Sequence, residues 1–198
     1  MKRYGITVGD NIKLNVRLVD CVGYLVNNAI GYLEDDMPRM VKTPWSTEEI
    51  PFEQAAEIGT KKVIQEHSTI GILVTTDGSV TGIEREDYIE PEERVVKELK
   101  ELNKPFVIVL NSVEPDSEYT QTLAQKLQEK YDTQVIPTDC ENLTADKIDE
   151  IFGKIRTFFD DYCEKFYKED LSKVYWDYEG YFKYAIRQMS YPHEFIGV

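Results

Sequence analysis

The chain has 198 residues, of which 41% are hydrophobic and 30% are charged, a composition typical of one globular domain or of one domain with a small appendage. With 23 Lys and Arg against 37 Asp and Glu, the net charge is −14, which disfavours unassisted binding to nucleic acid or anionic lipid. No apolar run is long enough to predict a transmembrane helix. Three widely spaced cysteines are typical of a reducing compartment, so we expect a cytoplasmic protein.

The first elements are predicted to form a β-hairpin. Residues 4–8 are rich in β-forming types, a turn follows at 9–11, and residues 12–20 begin with the apolar-polar alternation of a half-buried strand. The stretch over 21–51 has no clear periodicity, and loops of this length are usually functional or mobile. We therefore expect residues 21–50 to be the least ordered internal part of the chain.

Helices and strands alternate through most of the remaining chain. The predicted elements are a helix over 52–66, a strand over 70–74, a helix opened by Pro91, a strand over 106–110, a helix over 116–131, a strand over 134–136 and a helix capped by Thr144. This alternation predicts an α/β fold, with a mainly parallel sheet and helices on both faces. We expect the sheet domain to span residues 1–160 and an aromatic-rich, helical appendage to span 161–198.

The first strand ends in the sequence Asp-Cys-Val-Gly, which has the D-x-x-G form of a nucleotide-sensing loop. Ligands of parallel α/β proteins bind beyond the carboxyl ends of the strands. Asp20 would order Mg²⁺ through a water molecule, and Gly23 would bring its backbone N–H close to a γ-phosphate. Asp20 and Gly23 are therefore the candidate catalytic residues, with Asp20 also the candidate metal residue. A strand-to-turn junction without any such role can carry the same pair.

The middle strand ends in Thr-Thr-Asp-Gly at residues 75–78. The commoner explanation of this sequence is a turn in which the Asp precedes a glycine. Its predicted position, on the same sheet edge as Asp20, is the one functional hint. Thr75 and Asp77 are therefore candidate nucleotide-binding residues.

The next strand ends in Asn-Ser-Val-Glu at residues 111–114, where GTPases carry N-K-x-D. In that motif the Asn braces the phosphate loop and the Asp binds the guanine edge. Here Ser112 and Glu114 replace the Lys and the Asp, so guanine selectivity is expected to be weak or lost. Asn111 and Ser112 complete the candidate nucleotide-binding residues, although a plain polar turn explains the spacing equally well.

The chain contains no G-x-x-x-x-G-K-[ST] phosphate-binding loop. The segment 59–62 briefly resembles one, but it lies inside a predicted helix and lacks the upstream glycine. Without this loop there is no Lys to neutralise the β- and γ-phosphates and no Ser or Thr hydroxyl on the metal. We therefore expect these 198 residues alone to bind ATP and Mg²⁺ weakly or not at all, and to hydrolyse ATP negligibly.

Several segments of roughly residues 10–155 resemble the stage IV sporulation protein A family. The D-x-x-G strand over 16–24 looks like the family's switch strand, and the likeness is strongest over the ungapped string at 50–71. Thr-Thr-Asp-Gly at 75–78 and Asn-Ser-Val at 111–113 extend it. The string at 50–71 is very specific, because no generic chemistry requires it to recur.

The resemblance implies a spore-coat morphogenetic ATPase of endospore-forming bacteria, in the translation-factor-like class of P-loop GTPases. The family is described as using ATP, which agrees with the altered N-K-x-D motif. It implies ATP and Mg²⁺ as cofactors, with Asp20 on the metal, Gly23 near the γ-phosphate and Asn111 bracing the loop. It further implies self-assembly in the mother cell on the forespore surface. A small amphipathic membrane peptide recruits family members there, and they recruit further coat and cortex proteins.

Two departures from the family keep a second hypothesis open. Family members begin with an upstream segment that holds the phosphate loop, and the region after about residue 159 does not match their middle and C-terminal domains. We expect a truncated relative, an expressed fragment or a divergent paralogue. Two hypotheses follow: these residues are the switch half of an ATPase, or they are a non-catalytic α/β interaction module that has lost nucleotide binding. For this chain alone the second hypothesis is favoured. A receiver-like domain fits less well, because Ser112 or Glu114 stands where that class needs a Lys.

Overall fold

The structure is a computed structural model that describes residues 4–8, 12–29, 31–35 and 37–166. Its elements are, in chain order, β1 (Tyr4–Val8), β2 (Ile12–Val16), β3 (Leu33–Glu34), β4 (Met37–Pro38), β5 (Met40–Val41), β6 (Ile50–Pro51), α1 (Phe52–Lys62), β7 (Gly71–Thr76), α2 (Ile89–Glu101), β8 (Phe106–Asn111), α3 (Glu118–Tyr131), β9 (Val135–Thr138) and α4 (Ala145–Phe166). A π-helical turn, Val63–His67, continues α1, and a 3₁₀ turn, Arg85–Tyr88, precedes α2.

The chain divides into two compact units. One unit holds the two chain ends, where β1 and β2 form an antiparallel hairpin and α4 contacts β1. The other unit spans residues 18–143 and holds the remaining elements. In it, the two-residue strands make two local antiparallel pairs, β3 with β4 and β5 with β6.

The larger unit is built on a parallel sheet of three strands in the order β7-β8-β9. The helices α2 and α3 connect these strands, as a parallel sheet requires. The side chains of Ile108 and Leu110 on β8 are fully buried in a core with residues of α2 and α3. Val107 and Val109, on the opposite face of β8, are buried as well. The predicted α/β class, with a parallel sheet flanked by helices, is confirmed.

The predicted first strand differs from the structure in length and in partner. It ends at Val16 instead of residue 20, and the structure pairs β2 with β1 alone among the strands it describes. The hairpin was predicted correctly, but the further expectation that this strand joins the parallel sheet was wrong. Leu18 is 62% exposed, so this apolar position beyond Val16 does not face a core that would hold it in a sheet.

The helix ends lie close to the predicted positions, although α3 begins at Glu118 instead of residue 116 and a π-helical turn replaces the last residues predicted for α1. Pro91 is the third residue of α2 instead of the first, and it still lies in the first turn, where a missing N–H is tolerated. Thr144 caps α4 as predicted, because its hydroxyl accepts a hydrogen bond from the backbone N–H of Lys147 at 3.2 Å. The boundary expected near residue 160 falls within α4, and residues 167–198 of the predicted appendage lie outside the described residues.

A search of the described residues for a membrane-crossing helix finds none with the necessary length and apolar character.

Candidate functional site

An open cleft of about 450 Å³ lies at the carboxyl ends of β7 and β8, beside the N-terminus of α3. This is the edge of a parallel sheet at which ligands bind. The lining residues are mostly polar, and they are Asp77, Ser79, Ser112, Val113, Glu114, Ser117, Tyr119 and Thr120. Two of the four predicted nucleotide-binding residues, Asp77 and Ser112, are therefore brought together here.

Asp77 is buried at the cleft and both of its carboxylate oxygens accept hydrogen bonds. Oδ1 accepts from the backbone N–H of Ser79 at 3.0 Å and from its hydroxyl at 2.6 Å, and Oδ2 accepts from the Thr120 hydroxyl at 2.9 Å. Gly78 has a φ of +94°, and a Cβ at this position would lie 3.1 Å from the backbone nitrogen of Arg85. The turn therefore needs glycine, and it fixes the Asp77 carboxylate against α3.

A set of hydroxyl groups links β8 to α3 through Thr120. Since the one hydroxyl proton of Thr120 is donated to Asp77, the Ser117 hydroxyl donates to Thr120 Oγ1 at 2.9 Å, and the Ser112 oxygen lies 3.2 Å from the same atom. Ser117 also caps α3, because its oxygen accepts from the Thr120 backbone N–H at 3.2 Å. The oxygen of Ser112 accepts from the Glu114 N–H at 3.0 Å. The floor of the cleft is thus a satisfied polar network.

Burial by itself would raise the pKa of the Asp77 carboxyl, but hydrogen bonds from Ser112, Ser79 and Thr120 outweigh it and hold that pKa below its usual value. A carboxyl with a lowered folded-state pKa contributes stability above its unfolded pKa of about 3.9, and this contribution is lost as the pH falls through the folded value.

Replacing Asp77 with Asn is expected to lower the free energy of unfolding by about 1–3 kcal/mol at pH 7, because buried hydroxyl donors lose their charged acceptor. The difference from the wild type should begin to shrink below about pH 3.9, where the carboxyl of the unfolded chain takes up its proton, and should be lost once the pH falls below the lowered pKa of folded Asp77. Urea unfolding at pH 7 and pH 3 measures both effects. Asp116→Asn, at an exposed site in the following loop, is the control and should change little. Equal unfolding free energies for Asp77→Asn and the wild type at pH 7 would show that the Asp77 carboxylate does not stabilise the fold through these hydrogen bonds.

Thr75 and Asn111 lie next to the cleft but do not line it. The Thr75 hydroxyl is buried and contacts Arg85 Nη1 at 3.5 Å. The side-chain oxygen of Asn111 accepts from the backbone N–H of Cys140 at 3.0 Å, so it braces the loop that follows β9. These residues hold the surroundings of the cleft, and a direct role in binding nucleotide stays a prediction.

Asp20 and Gly23 lie in the loop between β2 and β3, and they do not line the cleft. Asp20 is exposed and makes no hydrogen bond or ion pair with any other residue in the described part of the chain. Gly23 has a φ of +84°, and a Cβ built there would meet nothing within 4 Å, so its backbone is open to a ligand. The structure does not bring Asp20 into one cleft with Thr75 and Asn111, and the predicted roles of Asp20 and Gly23 stay predictions.

The lining of the cleft suits an uncharged group better than a phosphate or a metal ion. It carries two carboxylates, those of Asp77 and Glu114, and no Lys or Arg. Both Asp77 oxygens are already occupied by hydroxyl and amide donors. The exposed ring of Tyr119 offers an aromatic face at the rim. The cleft therefore offers hydrogen-bonding groups and an aromatic rim, whereas a triphosphate would need cations that this lining does not supply.

Sequence reasoning missed Ser79, Ser117 and Thr120 as parts of this site. Ser79 and Asp77 form a local turn, which the Asp-Gly pair signals. Thr120 meets Asp77 across 43 positions in the sequence, and no local pattern encodes such a contact. Ser117 could have been recognised as a helix N-cap from its residue type alone.

Comparison with known proteins gives one consistent result. Residues 2–160 match the family model described as "Stage IV sporulation protein A, ATPase domain". The chain is 55% identical over 150 residues to stage IV sporulation protein A of Clostridioides difficile, and 55% identical over 138 residues to the protein of that name in Bacillus subtilis. These alignments cover 76% and 70% of this chain, but 30% and 28% of the relatives. The chain therefore spans less than a third of their length. No solved structure matches.

Proposed function

The chain belongs to the family of the ATPase domain of stage IV sporulation protein A, and we propose that it is the switch half of an ATPase that drives self-assembly of the spore-coat base layer. The match of residues 2–160 to the ATPase-domain model carries this proposal, because it includes both the D-x-x-G loop and the whole cleft. The chain corresponds to less than a third of the relatives, so a complete activity would also draw on residues outside the matched part.

In this proposal Asp20 would order Mg²⁺ through water, and the N–H of Gly23 would lie near the γ-phosphate of ATP. The exposed Asp20 carboxylate has no competing partner in the described part of the chain, and a Cβ at Gly23 would meet nothing within 4 Å, which leaves room for a ligand beside its backbone. Bound Mg²⁺ would neutralise charge that develops on the phosphates. Asp77 and Ser112, which line the cleft, would lie beneath the base, while Thr75 and Asn111 would hold the adjoining strand ends through their contacts with Arg85 and Cys140.

The phosphate-binding groups would come from a further strand beside β7. The outer edge of β7 has no strand partner among the described residues, and Ile72 and Val74 on it are 37% and 58% exposed. Parallel sheets normally bury such residues on both faces. A strand that carries the family's phosphate loop would complete this edge and supply the missing Lys.

The second candidate function is a non-catalytic α/β interaction module, and a specific observation favours it for this chain alone. The cleft has no cation for a phosphate, and the hydrogen-bonding capacity of Asp77 is used within the protein. Such a module would keep the fold as a binding platform without turnover.

The proposed partners are further copies of the protein and other spore-coat morphogenetic proteins, at the forespore surface in the mother-cell cytoplasm. With a net charge of −14, direct adhesion to anionic lipid or nucleic acid is unfavourable. We therefore propose that contact with the forespore membrane is made through a partner peptide.

To test this proposal, the segment that precedes the matched region in the Bacillus subtilis protein is fused to the N-terminus of this chain. Phosphate release from Mg-ATP by the fusion protein is then measured. We expect turnover, and we expect Asp20→Ala to reduce it on the order of 100-fold, because ordering of the metal contributes several kcal/mol to catalysis. Asp116→Ala removes an exposed carboxylate elsewhere and should leave the rate unchanged. A folded fusion without turnover would favour the interaction module.

A further inference from the structure

Tyr24, the residue that follows Gly23, is held on the surface of α2. Its hydroxyl donates a hydrogen bond to the Glu98 carboxylate at 2.5 Å. The guanidinium of Arg94 lies 3.9 Å from the centre of the Tyr24 ring, within the range of a cation–π interaction. The hydroxyl and the ring of Tyr24 are therefore bound by two residues of α2, Glu98 and Arg94, which lie one helical turn apart.

Arg94 connects this contact to α1. It is hydrogen-bonded to Glu57 on α1 and lies 3.5 Å from the second oxygen of Glu98. Glu57 also accepts a hydrogen bond from Lys61 at 3.0 Å. Glu98 has only 19% of its side chain exposed, so the Tyr24 hydroxyl meets a carboxylate that is largely shielded from water. The anchoring point of Tyr24 is thus part of a network that spans both helices.

A second contact holds the loop four residues further along. The Asn28 side-chain amide donates to the Asp87 carboxylate at 2.9 Å, in the turn that precedes α2. Asn28 has a φ of +61°, a conformation that Asn tolerates better than most residues. The loop is therefore fixed at two points against the helix that connects β7 to β8.

We propose that Tyr24 is the positioning residue of the Asp20–Gly23 loop, and that Arg94 and Glu98 set the place of that loop on α2. Four residues span at most about 14 Å, so a fixed Tyr24 keeps Asp20 within that distance of its anchor on α2. Gly23, whose φ of +84° a glycine adopts without strain, joins the anchored Tyr24 to the segment that carries Asp20. This inference rests on the proposed function, because the loop that Tyr24 positions is the proposed nucleotide-sensing loop.

The thiol of Cys21 reports on this anchoring directly. Cys21 is partly buried and lies three positions from Tyr24. In a chain that carries Cys140→Ser and Cys163→Ser, it is the single thiol, and its reaction rate with Ellman's reagent measures how often the loop opens. We expect Tyr24→Ala to raise this rate about 10-fold. Tyr24→Phe, which keeps the ring but loses the hydroxyl, should raise it about 3-fold.

Two further variants separate the anchor from general destabilisation. Arg94→Met should raise the Cys21 rate as Tyr24→Ala does, and Arg94→Lys, which keeps the charge but not the planar group, should fall between. Lys97→Met, at a side chain of α2 that is 75% exposed, is the matched control for Arg94→Met and should leave the rate unchanged. Hydrogen exchange of β8 should not change in any of these variants. If Tyr24→Ala also accelerates hydrogen exchange in β8, this variant destabilises the whole sheet, and the Cys21 rate of the milder variant Tyr24→Phe is used to test the anchor instead.

The proposal is overturned if the Cys21 rate stays within 2-fold of the starting protein in Tyr24→Phe and Arg94→Met while both remain folded. Because the measurement uses no nucleotide, it does not depend on ATP hydrolysis. A chain that never hydrolyses ATP can still show the anchored loop, and a hydrolysing chain can lack it. Failure of the proposed function and failure of this inference are therefore distinguishable.

Discussion

Replacing Glu92 with Gln is expected to lower the free energy of unfolding by about 3–5 kcal/mol, because it leaves the buried charge of Arg85 without an opposite charge. Both carboxylate oxygens of Glu92 accept from Arg85 Nη2 at 2.8 Å. The Tyr131 hydroxyl donates to the same carboxylate at 2.7 Å. The exposed fractions of the two charged side chains are 9% and 2%. Burial, and next the hydrogen bond to Glu92, raise the pKa of Tyr131, so its hydroxyl stays a donor over the whole working pH range.

The neighbouring residue provides the matched control. Glu93 pairs with Lys130 at 2.6 Å, but its side chain is 51% exposed, and such surface pairs contribute about 0–1 kcal/mol. Urea unfolding at pH 7 should therefore separate Glu92→Gln clearly from Glu93→Gln. Equal losses for the two variants would show that the buried pair carries no special weight. A triple variant, Arg85→Met with Glu92→Leu and Tyr131→Phe, should recover much of the loss, since it replaces the buried pair by apolar residues and leaves no tyrosine hydroxyl without its acceptor.

The sequence predicted the parallel part of the fold because the information there is local. The apolar runs of β7 and β8 and the helical periodicity of α2 and α3 each signal one element within a short window. Their order along the chain then determines the sheet, since parallel strands need crossover helices. Four residues at the ends of these strands could be named as candidates for the same reason.

The pairing of β2 could not be read in this way. A strand that alternates apolar and polar residues looks the same in a hairpin and at the edge of a larger sheet. The choice depends on which partner lies closest, and β1 is separated from β2 by only three residues. Placing the D-x-x-G strand in the sheet followed the general rule for parallel α/β proteins and not a local signal, which is why that expectation was wrong.

The contacts that organise the candidate site were beyond local reasoning as well. Asp77 meets Thr120 across 43 positions, and Tyr24 meets Glu98 across 74. Each requires that two elements be packed before the side chains meet. The residue types alone gave no indication of the hydroxyl network or of the anchored loop.

Mg-ATP is expected to bind these 198 residues about 1,000-fold more weakly than it binds the chain joined to a phosphate-loop segment. A phosphate loop holds nucleotide mainly through backbone N–H groups and one Lys. Hydrogen bonds to charged groups contribute about 1.5–3 kcal/mol each, so losing three of them moves a micromolar site to millimolar or weaker. Titration calorimetry with Mg-ATP on both proteins measures the difference.

The structure also tells which side chains could substitute for the missing loop. Lys61 and Lys62 are the lysines of the segment that briefly resembles a phosphate loop, but both lie on α1 and form ion pairs one turn along it, with Glu57 at 3.0 Å and Glu66 at 3.4 Å. The double variant Lys61→Gln with Lys62→Gln should therefore leave the weak affinity of the isolated chain unchanged. Micromolar binding by the isolated chain would contradict the prediction. If that binding were also lost in the double variant, these lysines would be the source of the phosphate contacts, and α1 would have to release them from Glu57 and Glu66.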